Sequence, residues 1–323
     1  MRKLGLAVCG VVLLLGALAL VAALHDRLPV TPGAWLETAG LEARVETVEG
    51  HRLRFVRSGG GPPVVLVHGF ASSLYTWKDV LPALARSHDV VALDLPGFGE
   101  SDLPADLSFE DLPAAVLGLM DRLHIPRAGL VGNSMGGAVA AIVAAERPER
   151  VSALVLIDAA GFNLEPGARP AMMRLATSPA ASLLEPLPGK RFLIERALHE
   201  VFHDSRLVTD ERLGEYLSGA QRRGSFAARA SLLRSLEDRP GVVKASLPRI
   251  KAPTLIVWGR EDAWIPLAHA DLFVEAIPGA RKSVLDDCGH IPQEERPEAV
   301  GNLLREFLAP PETETGEATS ARG

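Results

Sequence analysis

Six short, solidly apolar runs, spaced by stretches of helical pattern, decide most of what this chain of 323 residues can fold into. The runs are Val64–Val67, Val90–Leu93, Gly129–Val131, Ala153–Ile157, Thr254–Val257 and Ser283–Leu285. Without a polar face to turn toward water, such strands have to be covered on both sides. Between the runs, Tyr75–Arg86, Phe109–His124 and Met135–Arg147 carry helical spacing. Strands separated in this way pair in parallel, because each crossover helix packs on the sheet and returns the chain to the same edge. The pattern predicts an α/β fold, a mostly parallel central sheet flanked by helices. Ahead of it, Val45–Val48 and Arg52–Arg57 alternate apolar and polar residues around Glu49-Gly50, a hairpin signal.

One stretch breaks the alternation. Residues 162–248 hold no strand pattern, only helical segments rich in Arg, Leu and Ala, and they fall between two strands. An insertion there is expected as a helical cap at the sheet's C-terminal edge, where active-site loops gather. Its 13 Lys and Arg against 10 Asp and Glu read as a mildly basic, solvated helical face. The core is thereby divided into residues 43–161 and 249–309. Residues 310–323 are polar and proline-led, and are expected to be disordered.

Residues 1–24 form a separate unit. Arg2 and Lys3 precede an unbroken apolar run from Leu4 to Leu24, which as a helix would span roughly 30 Å, one bilayer core. The leading charges predict an N-in anchor with everything after residue 24 exported to the periplasm or beyond. A cleaved signal peptide with its site at Val21-Ala22-Ala23 is the alternative, giving a secreted protein. Residues 25–42, with Pro29, Pro32 and Gly33, read as a stalk leaving the membrane. Of the two cysteines, Cys9 lies in the apolar run, so a disulfide to Cys288 is not expected. A net charge of −6 without a basic run argues against nucleic acid as a partner.

The chemistry is expected at Gly132-Asn133-Ser134-Met135-Gly136, which joins an apolar strand to an Ala-rich helix. A serine on such a sharp turn projects its hydroxyl above the sheet, and the flanking glycines remove Cβ atoms that would clash with neighbouring chain. The helix start offers unpaired N–H groups to developing negative charge. A serine hydroxyl needs a base within hydrogen-bond reach, itself oriented by a third group. Of nine histidines, His290 follows the last predicted strand and so shares the sheet edge of Ser134. Two acids qualify as the third group: Asp158, ending one strand, and Asp262, in the loop after the next. The residues alone do not choose between them. The backbone N–H groups of Met135 and of Phe70, in His68-Gly69-Phe70 after another strand, are the expected oxyanion donors. Cys288 reads as a small buried residue and not as a nucleophile.

From about residue 45 to 308 the chain resembles the α/β-hydrolase superfamily. Five motifs carry the resemblance in order: His68-Gly69-Phe70, Asp94-Leu95-Pro96-Gly97-Phe98-Gly99-Glu100-Ser101, Gly132-Asn133-Ser134-Met135-Gly136-Gly137, Trp258-Gly259-Arg260-Glu261-Asp262 and Gly289-His290. The superfamily's chain order of serine, acid, histidine implies Ser134, Asp262 and His290 as the triad, with Asp158 a structural residue or occasional alternative acid. It implies no metal and no organic cofactor. The sequence around Ser134 is also similar to that of hydrolases splitting carbon–carbon bonds in ring-cleavage products of aromatics. Those proteins typically carry Trp directly after the catalytic histidine, where this chain has Ile291, and they are usually cytosolic. The expectation is therefore a serine hydrolase of a small apolar ester, lipase-like, held at the membrane by its N-terminal segment. The alternatives are carbon–carbon hydrolysis of vinylogous diketo acids and a catalytically silent binding protein on the same fold.

Overall fold

The computed structural model describes residues 20–21, 24–27, 31–164, 174–175, 189–235 and 239–309. The expected membrane helix over residues 4–24 and the tail 310–323 lie almost wholly outside them. Among the described residues no helix is long and apolar enough to cross a membrane.

Eight strands form one sheet: β1 (Ala43–Val48), β2 (His51–Gly59), β3 (Pro63–Val67), β4 (Asp89–Leu93), β5 (Ala128–Asn133), β6 (Val151–Ile157), β7 (Thr254–Gly259) and β8 (Arg281–Leu285). Their order is β1-β2-β4-β3-β5-β6-β7-β8. The hairpin β1–β2 joins β4 in antiparallel fashion, and from β4 to β8 every neighbouring pair is parallel. This is the mostly parallel α/β sheet that the apolar runs predicted. The chain reverses its direction of growth at β3, and loops leaving the carboxyl ends on either side of that switch meet in one crevice.

The helices are α1 (Ala34–Thr38), α2 (Leu81–Leu84), α3 (Asp111–Arg122), α4 (Met135–Glu146), α5 (Lys190–Val201), α6 (Asp210–Gln221), α7 (Ser225–Ser235), α8 (Arg239–Ser246), α9 (Ala268–Ala276), α10 (Pro292–Glu295) and α11 (Pro297–Leu308). Successive strand residues point to opposite faces, so each strand feeds two cores. Val65 and Val67 pack with Leu112, Val116, Val139 and Phe273 of α3, α4 and α9. Val64 and Leu66 pack with Leu81, Leu84, Val300 and Leu304 of α2 and α11. The helical pattern over Tyr75–Arg86 does not give one helix. A 3₁₀ turn at Leu74–Trp77 is followed by the short α2, because the Leu74 N–H is taken by Asp94 Oδ1 at 2.7 Å and Pro82 has no N–H to continue a longer ladder.

Residues 158–253 contain only helices and turns among those described. Two readings of this region and its surroundings are corrected. The segment 25–42 is not a free stalk where it is described: Trp35 and Leu36 are buried, and Gly33 N–H donates to Glu215 Oε1 at 2.6 Å. The Asp26 carboxylate accepts the Gly189, Lys190 and Arg191 N–H groups at 2.7, 3.2 and 2.8 Å, capping α5 where the helix dipole favours negative charge. The basic face of 162–248 is not wholly solvated either. Arg212 pairs with the buried Glu294 at 3.0 Å, and buried Arg229 lies over the Phe98 ring, 5.3 Å from its centre.

Candidate active site

The turn from β5 into α4 sets the geometry. Ser134 sits at φ 54°, ψ −119°, held there by its N–H on the Ile157 carbonyl at 2.9 Å. A side chain at Gly132 would run into the Gly136 carbonyl, and one at Gly136 into the Val67 carbonyl. Only glycine permits strand, turn and helix to approach so closely. Strain of this kind is typical of a functional turn and persists because its surroundings fix it.

His290 Nε2 lies 2.9 Å from Ser134 Oγ, and Nδ1 lies 2.8 Å from Asp262 Oδ2. Three residues separated by up to 156 positions thus form one continuous hydrogen-bonded line. Asp262 also accepts the Trp264 and Ile265 N–H groups at 2.7 and 2.9 Å on Oδ1. With the carboxylate saturated by donors, the His290 proton belongs on Nδ1, leaving Nε2 to accept from the serine hydroxyl.

Asp158 is fully buried directly behind this line, at φ 43°. Its Oδ1 accepts the Gly259 N–H at 3.0 Å, while Oδ2 has no hydrogen-bond partner among the described residues. Burial first, then the neighbouring Asp262 charge, raises its pKa well above the carboxylate range. Two buried carboxyls this close do not both ionise. Asp158 is therefore the one that keeps its proton, and Asp262 the one that orients the histidine. Ligand atoms of Asp158, Asp262 and His290 lie within 4.8 Å of one another. His290 Nδ1 and both Asp262 oxygens are already hydrogen-bonded, so a cation would have to displace those bonds.

Phe70 and Met135 lie on the two sides of the serine. A Cβ on Gly69 would be 3.1 Å from Ser134 Cβ, so the loop carrying Phe70 runs against Ser134. Neither the Phe70 nor the Met135 N–H has an acceptor among the described residues. Both remain available as donors. The loop is fixed from behind by His68, whose Nδ1 donates to the Gly69 carbonyl at 2.7 Å and whose Nε2 accepts the Leu95 N–H at 3.0 Å. Burial pushes the His68 pKa down to about 4, with the Gly69 carbonyl opposing. The unfolded chain binds this proton below about pH 6.5, whereas the folded one resists to about 4. This neutral imidazole therefore stabilises the fold above pH 6.5, and up to roughly 3 kcal/mol is lost as pH falls toward 4. Calorimetric Tm values between about pH 7 and 4.5 are expected to fall more steeply for the native protein than for His68→Asn; parallel slopes would rule this out.

Several residues that hold the site were not legible in the sequence. Asn133 Nδ2 donates to the carbonyls of His290 and Ile157 at 3.1 and 3.2 Å, tying the serine turn to the histidine loop. The Trp264 ring stacks on His290 with centres 5.6 Å apart. Glu295 accepts the Gly289 N–H on one oxygen at 2.7 Å and the His203 and Asp204 N–H groups on the other at 2.9 and 3.1 Å. The His290 N–H itself donates to the Val201 carbonyl at the end of α5, at 2.8 Å. Glu294 adds Tyr216 Oη at 2.5 Å and Thr76 Oγ1 at 2.7 Å. The adjacent pair Glu294-Glu295, four and five residues after His290, was the one available signal. Cys288 is buried, and burial raises its thiol pKa, which leaves no thiolate to attack.

Comparison with known proteins agrees with this architecture. The family profile described as the alpha/beta hydrolase fold matches residues 62–297. An uncharacterized hydrolase of Bacillus subtilis (strain 168), YugF, is 30% identical over 275 residues, 81% of this chain and 96% of that protein. The 2-hydroxymuconate semialdehyde hydrolase of Pseudomonas sp. (strain CF600) is 33% identical over 272 residues, 80% of this chain and 91% of that one. Among solved structures, a bacterial membrane phospholipase A described as a virulence factor superposes with a TM-score of 0.72 at 28% identity. That match covers 95% of this chain and 98% of the phospholipase.

Proposed function

The chain belongs to the α/β-hydrolase family and is a hydrolase; from that premise we propose that it cleaves the carboxylic ester of an apolar, lipid-derived substrate through an acyl-enzyme on Ser134. The observation that carries the reading is the line from Ser134 Oγ through His290 to Asp262, with separations of 2.9 and 2.8 Å. His290 Nε2 takes the hydroxyl proton as Ser134 attacks the acyl carbonyl, and Asp262 holds the imidazole and stabilises its charge. The carbonyl oxygen becomes an oxyanion between the Phe70 and Met135 N–H groups. Collapse breaks the ester bond, and His290 returns the proton to the departing alcohol. Water, deprotonated by the same imidazole, then releases the acid and restores the serine.

Two observations favour a lipid ester. The likeness to the membrane phospholipase extends over 95% of this chain, more than residues 43–309 alone provide. The apolar run Leu4–Leu24 behind Arg2 and Lys3 has the length and flanking charge of an anchor that would hold an exported domain at a bilayer. Identity of 33% to the semialdehyde hydrolase supports carbon–carbon hydrolysis as the second reading. The two separate by substrate. The expected result is turnover of p-nitrophenyl esters with a preference for longer acyl chains, and kcat/KM on a vinylogous diketo acid lower by at least about 100-fold, a gap of roughly 3 kcal/mol in transition-state binding. The reverse ratio would establish the second reading. An absence of labelling by a fluorophosphonate probe would leave a silent binding protein.

A further inference from the structure

We propose that a polar cavity beside the Phe70 loop binds the headgroup of a zwitterionic phospholipid, a phosphodiester carrying an ammonium group. The inference rests on the lipid-ester reading and deepens it. The cavity holds about 540 Å³ and opens to solvent. Arg52 and Arg54 of β2 enter it from one side and Arg222, just after α6, from another, with Glu100 and Glu215 also on its wall.

Each group has a distinct state. Arg54 spends part of its charge on buried Asp94, 3.6 Å away. Arg222 donates through Nη1 to the carbonyls of Gly99 and, at 2.7 Å, Ser101, which fixes its plane and leaves its other nitrogens toward the cavity free of protein acceptors among the described residues. The exposed Arg52 side chain has no partner among the described residues. A guanidinium held as Arg222 is, beside the unpartnered Arg52, matches the oxygens of a phosphodiester, because planar N–H pairs meet two oxygens at once. The exposed Glu100 beside them would repel a purely anionic ligand and suit one that also carries an ammonium, whereas Glu215 is committed to the Gly33 N–H. The charge pattern therefore selects a zwitterion.

Position supports the same occupant. Ser72 and Ser73 line the cavity; Ser72 N–H closes a turn on the Gly69 carbonyl at 3.3 Å, and Ser73 follows it directly. Gly69 is the residue packed against Ser134. The cavity thus shares a loop with the expected oxyanion donor Phe70, the arrangement a phospholipid needs if its ester lies at Ser134 and its headgroup in the cavity. Pro32 and Gly33 also line it, Gly33 beside the Arg54 guanidinium, and they belong to the part of the chain that leads back to the N-terminal apolar run. A lipid reached from the bilayer would present its headgroup on that side. Inorganic phosphate shares the anion chemistry but lacks the ammonium and the tether to the ester.

The test uses the full chain in mixed vesicles containing phosphatidylcholine and a diacylglycerol of the same acyl chains. Arg52→Glu is expected to lower the ratio of kcat/KM for phosphatidylcholine over diacylglycerol about five- to tenfold, the range of one partly exposed charge-assisted contact. Arg52→Lys should restore most of the ratio. Glycerophosphocholine should inhibit the native protein competitively and the Arg52→Glu variant far less. An unchanged ratio, or an equal loss on both lipids, overturns the proposal; so does inhibition by inorganic phosphate equal to that by glycerophosphocholine. If the native protein hydrolyses p-nitrophenyl esters but prefers diacylglycerol to phosphatidylcholine, the headgroup site fails while the ester reading stands. If neither lipid nor nitrophenyl ester is hydrolysed, the ester reading itself has failed.

Discussion

Ser134→Ala is expected to abolish fluorophosphonate labelling and to lower kcat on any ester by about 10⁴- to 10⁶-fold, with the fold intact. Removing the oxygen removes the covalent route, and what remains is the Phe70 and Met135 N–H pair acting on water alone. The substitution is sterically mild. Ser134 Oγ bonds only His290 among the described residues, and the strained turn is held by backbone contacts to Ile157 and Ala160 that alanine keeps. Intact-protein mass spectrometry after probe treatment decides the matter: an adduct that persists in the variant would place the nucleophile elsewhere.

The second large effect separates the two buried aspartates. Asp262→Asn is expected to cost about 10³- to 10⁴-fold in kcat, because an amide that donates to Nδ1 favours the wrong imidazole tautomer. Asp158→Asn is expected to change kcat by less than about tenfold, since the amide keeps an oxygen for the Gly259 N–H and, like the protonated carboxyl, adds no charge beside Asp262. The double variant should be slower than Asp158→Asn alone and close to Asp262→Asn. Single-turnover and steady-state rates of the three variants test this. A large loss in Asp158→Asn with little in Asp262→Asn would reverse the assignment.

These two experiments also mark how far the residues alone could be read. The elbow was legible because its requirements are local: two glycines where no Cβ fits, between an apolar strand and an Ala-rich helix. His290 was legible as a residue after the last strand, since parallel topology carries every such loop to one edge. The choice of Asp262 over Asp158 was not, because both end up buried beside the same imidazole. Their roles differ by how many N–H groups reach each: Asp262 has three, including that of His290, and Asp158 has one. Hydrogen bonds of that kind depend on how loops pack, and nothing in the spacing of residues records them.

The sequence by itself determined the sheet, its central buried strands and the turn that carries Ser134, while the last strand, Arg281–Leu285, is a partly exposed edge. Periodicity and glycine chemistry act over a few residues, and a few residues are what local pattern describes. Only the tertiary structure decided which way Arg212 and Arg229 point, that Asp26 caps α5, and that Glu294 and Glu295 tie the helices of 189–235 to the histidine loop. The reason is range. Arg212 looks like a surface residue until Glu294, 82 positions later, is brought within 3.0 Å of it in a place from which water is excluded.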